Sequence, residues 1–235
     1  MPEKSVIFPA EVCSLSGRMG GMRFLCLAAA ALLSVSPISA QLAVPPSGAT
    51  AFKDTSMLKP PAGAKIAIIE FEDLECYACG QASAIVWSAM AQYKIPRVHY
   101  DFLIQGHAWS RAAAIDARFL EDKVSPKAAE EFRHDVFAHQ SSIAGPEDLQ
   151  NFSRLWFKSH NVPRPFVVDA SGRCAEEVQS DCMLGLRLGL HHTPTILVVT
   201  ARQWIEVTDP RQLYAAIDLA KASLNTTPEN SRRRD

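Results

Sequence analysis

Apolar positions follow two patterns along the chain: short runs that predict buried strands and longer periodic stretches that predict helices. Residues 66–71 (IAIIEF) form an apolar run interrupted only by Glu70, which is typical of a buried strand. Residues 97–104 alternate in polarity as a second strand does. Residues 195–199 form a third apolar run, and residues 204–207 follow as its hairpin partner.

Helical periodicity fills most of the remaining chain. It predicts a helix over residues 81–93, a helical block over about 107–188, and a final helix that begins at Asp209-Pro210. Within the block, Ser110 is expected to cap the first helix. The order of these elements predicts an α/β fold, in which a small mixed sheet is flanked by helices and carries a helical insertion between its second and third strands.

The first 40 residues differ in character from the rest. Arg23 precedes a mainly apolar stretch of about a dozen residues that closes on small residues up to Ala40, which is the pattern of a secretory signal peptide. The true start is expected at Met19 or Met22. An uncleaved anchor is the alternative, although a membrane span needs about 20 apolar residues. Export predicts a periplasmic or other extracytoplasmic location, where disulfides persist.

Composition sets further limits on function and domain organisation. The chain has 235 residues, 48% of them hydrophobic, and a formal net charge of −1, so neither a nucleic-acid partner nor a wholly disordered chain is indicated. Pro, Ala, Gly and Ser dominate residues 41–63, which predicts a linker ahead of a domain at 64–223. Residues 224–235 are predicted to be a disordered tail.

Two cysteines occupy the junction between the first strand and the first helix. Cys76-Tyr77-Ala78-Cys79 places two thiols one helical turn apart, within reach of each other. The N–H groups and positive dipole end of a helix N-terminus favour a thiolate at Cys76, which predicts an exposed nucleophile there and a shielded, resolving thiol at Cys79. A C-x-x-C pair alone is weak evidence for a redox site, because half of a zinc site has the same spacing.

Two further features accompany this pair. Glu70 lies in the apolar strand before Cys76, so we expect its carboxyl group to be buried, to have a raised pKa and to exchange a proton with Cys79. A carboxylate wetted by solvent at the strand end is the alternative. Thr193-Pro194 begins the third strand, where a proline can be cis or simply trans.

Together these segments resemble the DsbA-like branch of the thioredoxin-fold superfamily. The resemblance covers about residues 64–222 and rests on three motifs: residues 71–79 (FEDLECYAC), residues 101–103 (DFL) with His107, and residues 189–195 (GLHHTPT). It implies a thioredoxin fold with a helical insertion. It also implies a thiol–disulfide oxidoreductase in which Cys76 attacks, Cys79 resolves the mixed disulfide, and Glu70 takes the place of the family's buried acid.

The resemblance also implies where substrates bind and which partners are involved. Pro194 is implied to be cis, and the backbone of Thr193 is implied to hydrogen-bond a substrate peptide. Tyr77 and His192 complete the predicted substrate-binding surface. The implied partners are cysteine-containing secreted proteins and a membrane redox partner that recycles the pair. No cofactor, no metal and no nucleic acid are expected, and the chain is expected to be a monomer.

The chain departs from the strongly oxidising members of this family between the two cysteines, where it has Tyr-Ala in place of Pro-His. Without that histidine, the Cys76 thiolate loses a stabilising charge. The carboxylate of Glu75 is expected to disfavour the thiolate further. Because a stabilised reduced form is what makes such a protein oxidising, we expect a milder oxidant than DsbA. His191 or His192 could supply the missing charge, but surface positions are favoured for both.

Cys174 and Cys182 lie in a predicted helix, where their spacing corresponds to a rise of about 12 Å. A disulfide needs Cα atoms within about 7 Å of each other, so two thiols, one or both of them buried, are favoured. A second disulfide, a thiol relay to the active site, or a metal site shared with His191 and His192 are the alternatives.

The sequence therefore predicts an exported thiol–disulfide oxidoreductase that forms, reduces or exchanges disulfides in secreted proteins. Two alternatives stay open. One is a non-catalytic metal-handling module built on Cys76, Cys79 and a histidine, and the other is a thioredoxin-like peptide-binding module. Catalysis requires an acidic Cys76 beside a shielded Cys79, whereas a metal site requires further ligands that face both thiols.

Overall fold

The structure, a computed structural model, describes residues 58–225. The predicted signal peptide, most of the predicted linker and residues 226–235 of the predicted tail lie outside these residues. The strands are β1 (Ile66–Glu72), β2 (Arg97–Asp101), β3 (Thr195–Thr200) and β4 (Trp204–Val207). The helices are α1 (Tyr77–Tyr93), α2 (Ser110–Lys123), α3 (Pro126–His139), α4 (Pro146–Ser159), α5 (Arg173–Leu188) and α6 (Leu213–Asn225), with 3-10 turns at Gln140–Ser142 and Pro210–Gln212.

The four strands form one mixed sheet in the order β2-β1-β3-β4. Strand β1 pairs parallel with β2 and antiparallel with β3, and β3 pairs antiparallel with β4. Both central strands, β1 and β3, are buried along their whole length, as their apolar runs indicate. The predicted α/β fold, with a small mixed sheet and a helical insertion between β2 and β3, is confirmed.

Helices cover both faces of the sheet, and the insertion adds a core of its own. One face of the sheet packs against α1 and α6, and the opposite face packs against α5. Leu58, within the predicted linker, is buried on the α5 side. Helices α2, α3 and α4 enclose a separate aromatic cluster, which Cys76 and Cys79 join at its edge. The cysteine pair therefore lies where the sheet meets the insertion.

Several boundaries differ from the prediction for local reasons. Strand β2 ends at Asp101 rather than near residue 104. The N–H of Phe102 still donates to the backbone carbonyl of Glu72, but those of Leu103 and Ile104 donate to the side chains of Cys182 and Asp73. Asp209 accepts a hydrogen bond from the N–H of Arg211 and starts a 3-10 turn that leads into α6. No helix among the described residues is long and apolar enough to cross a bilayer.

Helix α5 makes its closest approach to the residue after β2 at Gly185. A Cβ atom placed there lies 2.4 Å from Cδ2 of Phe102, which is itself buried and packs edge-on against Phe71. Gly185→Ala is therefore expected to lower the free energy of unfolding by about 1–3 kcal/mol, although alanine favours helix. Urea denaturation measures this loss.

Met183→Ala, at an exposed position of the same helix, is the control. It is expected to change the free energy of unfolding by less than about 0.5 kcal/mol. A Gly185→Ala variant as stable as the unmodified chain would contradict the tight packing described here.

Candidate active site

Cys76 is the N-cap residue of α1, and Cys79 lies in the first turn. The Cys76 sulfur accepts a hydrogen bond from the Cys79 N–H at 3.4 Å, and neither sulfur is in a disulfide. Cys79 is fully buried, whereas Cys76 is 9% exposed. The two thiols thus differ in the predicted direction. Cys76 is less exposed than predicted, because its thiol packs against the segment before β3 and donates to the Thr193 carbonyl at 3.5 Å.

The Cys76 thiol is acidic for a cysteine. A hydrogen bond from the Cys79 side chain lowers its pKa to about 6, helped by the Thr193 side chain and opposed by burial and the nearby charge of Asp73. Burial, and then the hydrogen bond to Cys76, raises the pKa of Cys79 far above its ordinary value. At neutral pH Cys76 is therefore mainly thiolate, while Cys79 keeps its proton.

Glu75 has a structural role that the sequence did not suggest. Its carboxylate accepts hydrogen bonds at 2.6–3.0 Å from three successive backbone N–H groups, those of Ala108, Trp109 and Ser110. It therefore caps α2 from outside that helix, in place of the predicted cap by the Ser110 side chain. The acidic residue that most raises the pKa of Cys76 is Asp73, whose own carboxylate accepts from the Ile104 N–H at 2.8 Å.

Gln140, in the turn after α3, holds the main chain on both sides of Glu75. Its side-chain amide donates to the carbonyl of Leu74 at 2.8 Å and to the carbonyl of Cys76 at 3.0 Å. This approach is possible because Gly80 has no side chain, since a Cβ atom there would lie 2.3 Å from Oε1 of Gln140. The sequence analysis missed Gln140, and the glycine directly after the cysteine pair was the only signal for it.

The predicted substrate-binding residues lie around Cys76, but on different sides. The Thr193–Pro194 peptide bond is cis. His192 is exposed and lines, with Thr193 and Pro194, a groove of about 360 Å³. Tyr77, 73% exposed, instead lines a separate groove of about 380 Å³ that includes residues of the insertion. The two grooves adjoin the start of α1. One, the sheet-side groove, is lined by the segment before β3, and the other is lined by residues of the insertion.

Comparisons with known proteins bear on this arrangement. No protein family and no curated protein matches the sequence. Among solved structures, the thiol-disulfide exchange protein α-DsbA2 from Wolbachia pipientis matches with a TM-score of 0.55 and 17% identity, over 68% of this chain and 84% of that one. ScsC from Proteus mirabilis matches with a TM-score of 0.56 and 17% identity, over 70% and 71%. The chain has the fold of the DsbA-like thiol–disulfide oxidoreductases.

A third match points to the same fold. A periplasmic thioredoxin-like protein from Salmonella enterica serovar Typhimurium has a TM-score of 0.53 and 14% identity, over 69% of this chain and 88% of that one. At these identities the likeness establishes the DsbA-type fold alone. The predicted thioredoxin fold with a helical insertion is thereby confirmed, and the role of each residue rests on the geometry of this chain.

Within the DsbA-type fold, Glu70 lies on the sheet face that α1 covers. It is fully buried, as predicted. Burial, and then the charge of Glu72, raises its pKa to about 7, although Arg97 acts in the opposite direction. Arg97 donates to one Glu70 oxygen at 2.7 Å. The exchange of a proton between Glu70 and Cys79 stays a prediction.

The sequence analysis also missed the arginines that accompany these buried acids. Arg133 of α3 is fully buried, and its guanidinium contacts Glu72 of β1 at 3.1 Å and Asp101 of β2 at 2.8 Å. Arg97 contacts Glu70 and Glu72 of β1 and also Glu130 of α3. These contacts join α3 of the insertion to β1 and β2 of the sheet by buried ion pairs.

The second pair of cysteines lies away from the candidate site. Cys174 and Cys182 are both buried on α5, and neither takes part in a disulfide. Burial raises the pKa of Cys174 to about 11, and the Cys182 sulfur accepts from the Leu103 N–H at 3.4 Å. The prediction of two buried thiols is confirmed. Within residues 58–225 no group of three or more His, Cys, Asp and Glu side chains is placed to hold a metal.

The Cys79 side chain is the largest influence that lowers the pKa of Cys76. Cys79→Ala removes this donor, so the Cys76 pKa is expected to rise from about 6 towards the ordinary cysteine range. Cys79→Ser retains an O–H donor and is expected to keep the pKa close to 6. Thiolate absorbance at 240 nm as a function of pH measures both. Equal pKa values in the two variants would show that other groups determine the acidity.

Gln140→Ala removes both hydrogen bonds to the main chain around Cys76. We expect it to lower the free energy of unfolding by about 1–2 kcal/mol. Gly80→Ala is expected to lower it as well, because the added methyl group displaces the Gln140 amide. Ser141→Ala, at the exposed neighbouring position, is the matched control and is expected to be neutral. Chemical denaturation measures all three, and a neutral Gln140→Ala would contradict this role for Gln140.

Proposed function

We propose that this chain is an exported thiol–disulfide oxidoreductase that forms, reduces or exchanges disulfides in secreted proteins. The observation that carries the proposal is the asymmetry of the two thiols. Cys76 begins a helix with a pKa lowered to about 6, and Cys79 beside it is fully buried and protonated. A thiolate nucleophile next to a protected thiol is the arrangement that thiol–disulfide exchange requires.

The proposed reaction proceeds in two exchanges. The Cys76 thiolate attacks a disulfide in the client protein, forms a bond to one client sulfur and releases the other as a thiolate. Cys79 then gives its proton to Glu70 and attacks the Cys76 sulfur, which releases the second client sulfur as a thiolate. The pair has lost two electrons and the client has gained them. The reverse sequence oxidises a client dithiol.

The client is proposed to bind along the sheet-side groove. The Thr193 carbonyl oxygen lies 3.5 Å from the Cys76 sulfur, so Thr193 presents backbone groups beside the reacting atom. An extended client segment can hydrogen-bond there, with Pro194 and His192 as the adjacent wall. Tyr77 offers an exposed aromatic surface on the opposite side of Cys76.

The acidity of Cys76 supports a milder oxidant than DsbA. A pKa of about 6 lies between the values of about 3.5 for DsbA and about 7 for thioredoxin. Because a more stable thiolate makes the reduced form more stable, an intermediate pKa supports an intermediate potential. The absence of a histidine between the two cysteines also supports a potential less oxidising than that of DsbA.

Location and partners follow from the proposed chemistry. The apolar segment before Ala40 supports export to the periplasm or another extracytoplasmic compartment, and one structure of the same fold is described as periplasmic. The proposed partners are cysteine-containing secreted proteins and a membrane protein that recycles the pair. The chain is proposed to act as a monomer without a cofactor.

A metal-handling module is the alternative function, and a non-catalytic peptide-binding module is another. The first needs ligands besides the two thiols, and the described residues offer no such group. The second does not need an acidic Cys76. The redox proposal accounts for both the acidity and the burial of the pair.

The proposal is tested by equilibrating the protein in glutathione buffers of graded potential, followed by alkylation and mass measurement. The unmodified chain and a Cys174→Ser control are each expected to show one reversible two-electron transition. Cys76→Ser is expected to abolish it. The midpoint gives the direction in which clients are converted. A chain without a transition, or thiols that react only after a chelator is added, would favour the metal-handling alternative.

A further inference from the structure

Three exposed lysines gather at the opposite end of α1 from Cys76. Lys65 precedes β1, Lys94 is the C-cap of α1, and Lys221 lies near the end of α6. All three line one surface cavity of about 680 Å³. Because the 17 residues of α1 rise about 1.5 Å each, this surface lies about 25 Å along the helix from Cys76. The surface formed by Lys65, Lys94 and Lys221 is called the basic pole below.

The β3–β4 turn brings Arg202 to the same end of the sheet. The residue before this turn pairs with Ile66, which directly follows Lys65. The turn is also joined to the end of α6, since the Gln203 amide donates to the Ser223 hydroxyl at 2.9 Å. The exposed Arg202 therefore adds a fourth positive charge beside the basic pole.

These positive charges are not neutralised within the domain. Other exposed cations, such as Lys127 and Arg211, are paired with carboxylates. Within residues 58–225, by contrast, no carboxylate forms a salt bridge with a lysine of the basic pole or with Arg202. Asp218, one turn before Lys221, accepts a hydrogen bond from the Tyr93 hydroxyl at 2.8 Å, and Lys221 itself lies over the Tyr93 ring. The positive potential of this surface is therefore available to an anionic partner.

The two parts of the chain outside the described residues join the domain at this surface. Gly63 and Asn225 line the same cavity as the three lysines. Ahead of Gly63 along the chain lies the apolar run of residues 24–35, which is the predicted signal peptide or anchor. After Asn225 come three consecutive arginines at residues 232–234. A membrane-directed segment and a second group of cations are thus connected to the face that carries the lysines.

A bilayer surface fits the basic pole better than a single small anion does. Helices α1 and α6 both end here, and the C-terminal end of a helix carries partial negative charge, which disfavours an anion held close to the backbone. Long lysine side chains can instead extend their charges away from the surface. An anionic bilayer presents many phosphates in one plane, and each lysine or arginine that reaches that plane adds to the binding.

We propose that the basic pole binds the anionic headgroups of a lipid bilayer and orients the domain with Cys76 directed away from the membrane. This inference goes beyond the thiol chemistry proposed above and does not depend on it. Lys65, Lys94 and Lys221 make the contacts, and Arg202 strengthens the field around them. Because the attraction is between exposed charges and headgroups, salt weakens it.

The test measures cosedimentation of the full chain with lipid vesicles. The vesicles contain either phosphatidylcholine alone or phosphatidylcholine with phosphatidylglycerol, so insertion of the apolar run contributes to both kinds. The measured quantity is the ratio of the two partition coefficients, anionic over zwitterionic. It is expected to be at least about ten in about 50 mM salt and to approach one in about 500 mM salt.

Substitution of the three lysines assigns this preference to the basic pole. The combined variant Lys65→Gln, Lys94→Gln and Lys221→Gln is expected to lower the ratio at least about fivefold. The charge-retaining variant Lys65→Arg, Lys94→Arg and Lys221→Arg is expected to keep it. Far-UV circular dichroism establishes that both variants are folded.

Two further variants serve as controls for the loss of three charges. The first removes three cations from α2, α4 and α5 and is expected to change the ratio less than about twofold: Arg111→Gln, Arg154→Gln and Arg187→Gln. The second replaces residues 232–234 by glutamine, and it is expected to lower the ratio less than the lysine variant does.

Lysine acetylation locates the contact in the unmodified chain. Acetic anhydride is expected to modify Lys65, Lys94 and Lys221 at least about fivefold more slowly on anionic vesicles than in solution, because headgroups cover them. Lys123 and Lys158, which are exposed on the insertion, are expected to react at unchanged rates.

Four results would overturn the proposal. The first is equal binding to the two kinds of vesicle. The second is a preference that the lysine variant keeps and the variant of residues 232–234 loses. The third is unprotected lysines at the basic pole. The fourth is release by inorganic phosphate at an ionic strength where chloride releases nothing, which would assign the surface to free phosphate.

These outcomes are separate from those of the glutathione titration. Cys76 and Cys79 are unaltered in every variant, so the two-electron transition is expected to be the same in all of them. A chain that lacks this transition would overturn the proposed function and leave the vesicle result standing. A chain that shows the transition without anionic preference would overturn only the membrane proposal.

Discussion

The position of Cys76 depends on how the segment between β1 and α1 is held by the helical insertion. Acidic side chains at the end of β1 and in this segment reach three different places: α3, the loop after β2, and the start of α2. Gln140 then returns from the insertion to hold the main chain on both sides of Glu75. Cys76 is therefore positioned by contacts with both the sheet domain and the helical insertion, and its orientation reflects the packing of both.

Burial has opposite consequences for the two thiols and for the acid beneath them. It raises the pKa of Cys79 and of Glu70, whereas a hydrogen bond from Cys79 overcomes it at Cys76. A single environment thus gives one acidic thiol and one that keeps its proton. The same burial keeps the Glu70 carboxyl group out of contact with solvent.

Local patterns predicted the parts of this structure that depend on local physics. Apolar runs and helical periodicity within a few neighbouring residues were enough to predict the buried strands and the helix that begins at the cysteine pair. They also predicted the burial of Glu70. Glu75 and Gln140 could not be predicted this way, because each contacts backbone groups more than thirty residues distant along the chain. The nearness of Glu75 to Cys76 in sequence did not reveal that its carboxylate caps α2.

The ion pairs of Arg133 also bear on how the insertion could have been acquired or exchanged. A helical segment grafted between β2 and β3 has to bring a buried cation for Glu72 and Asp101, since an unmatched buried charge costs about 3–5 kcal/mol. The insertion is therefore not an independent module. Arg133 and its two carboxylates must change together, so a chimaera made from this chain should keep α3 with the strands whose charges it neutralises.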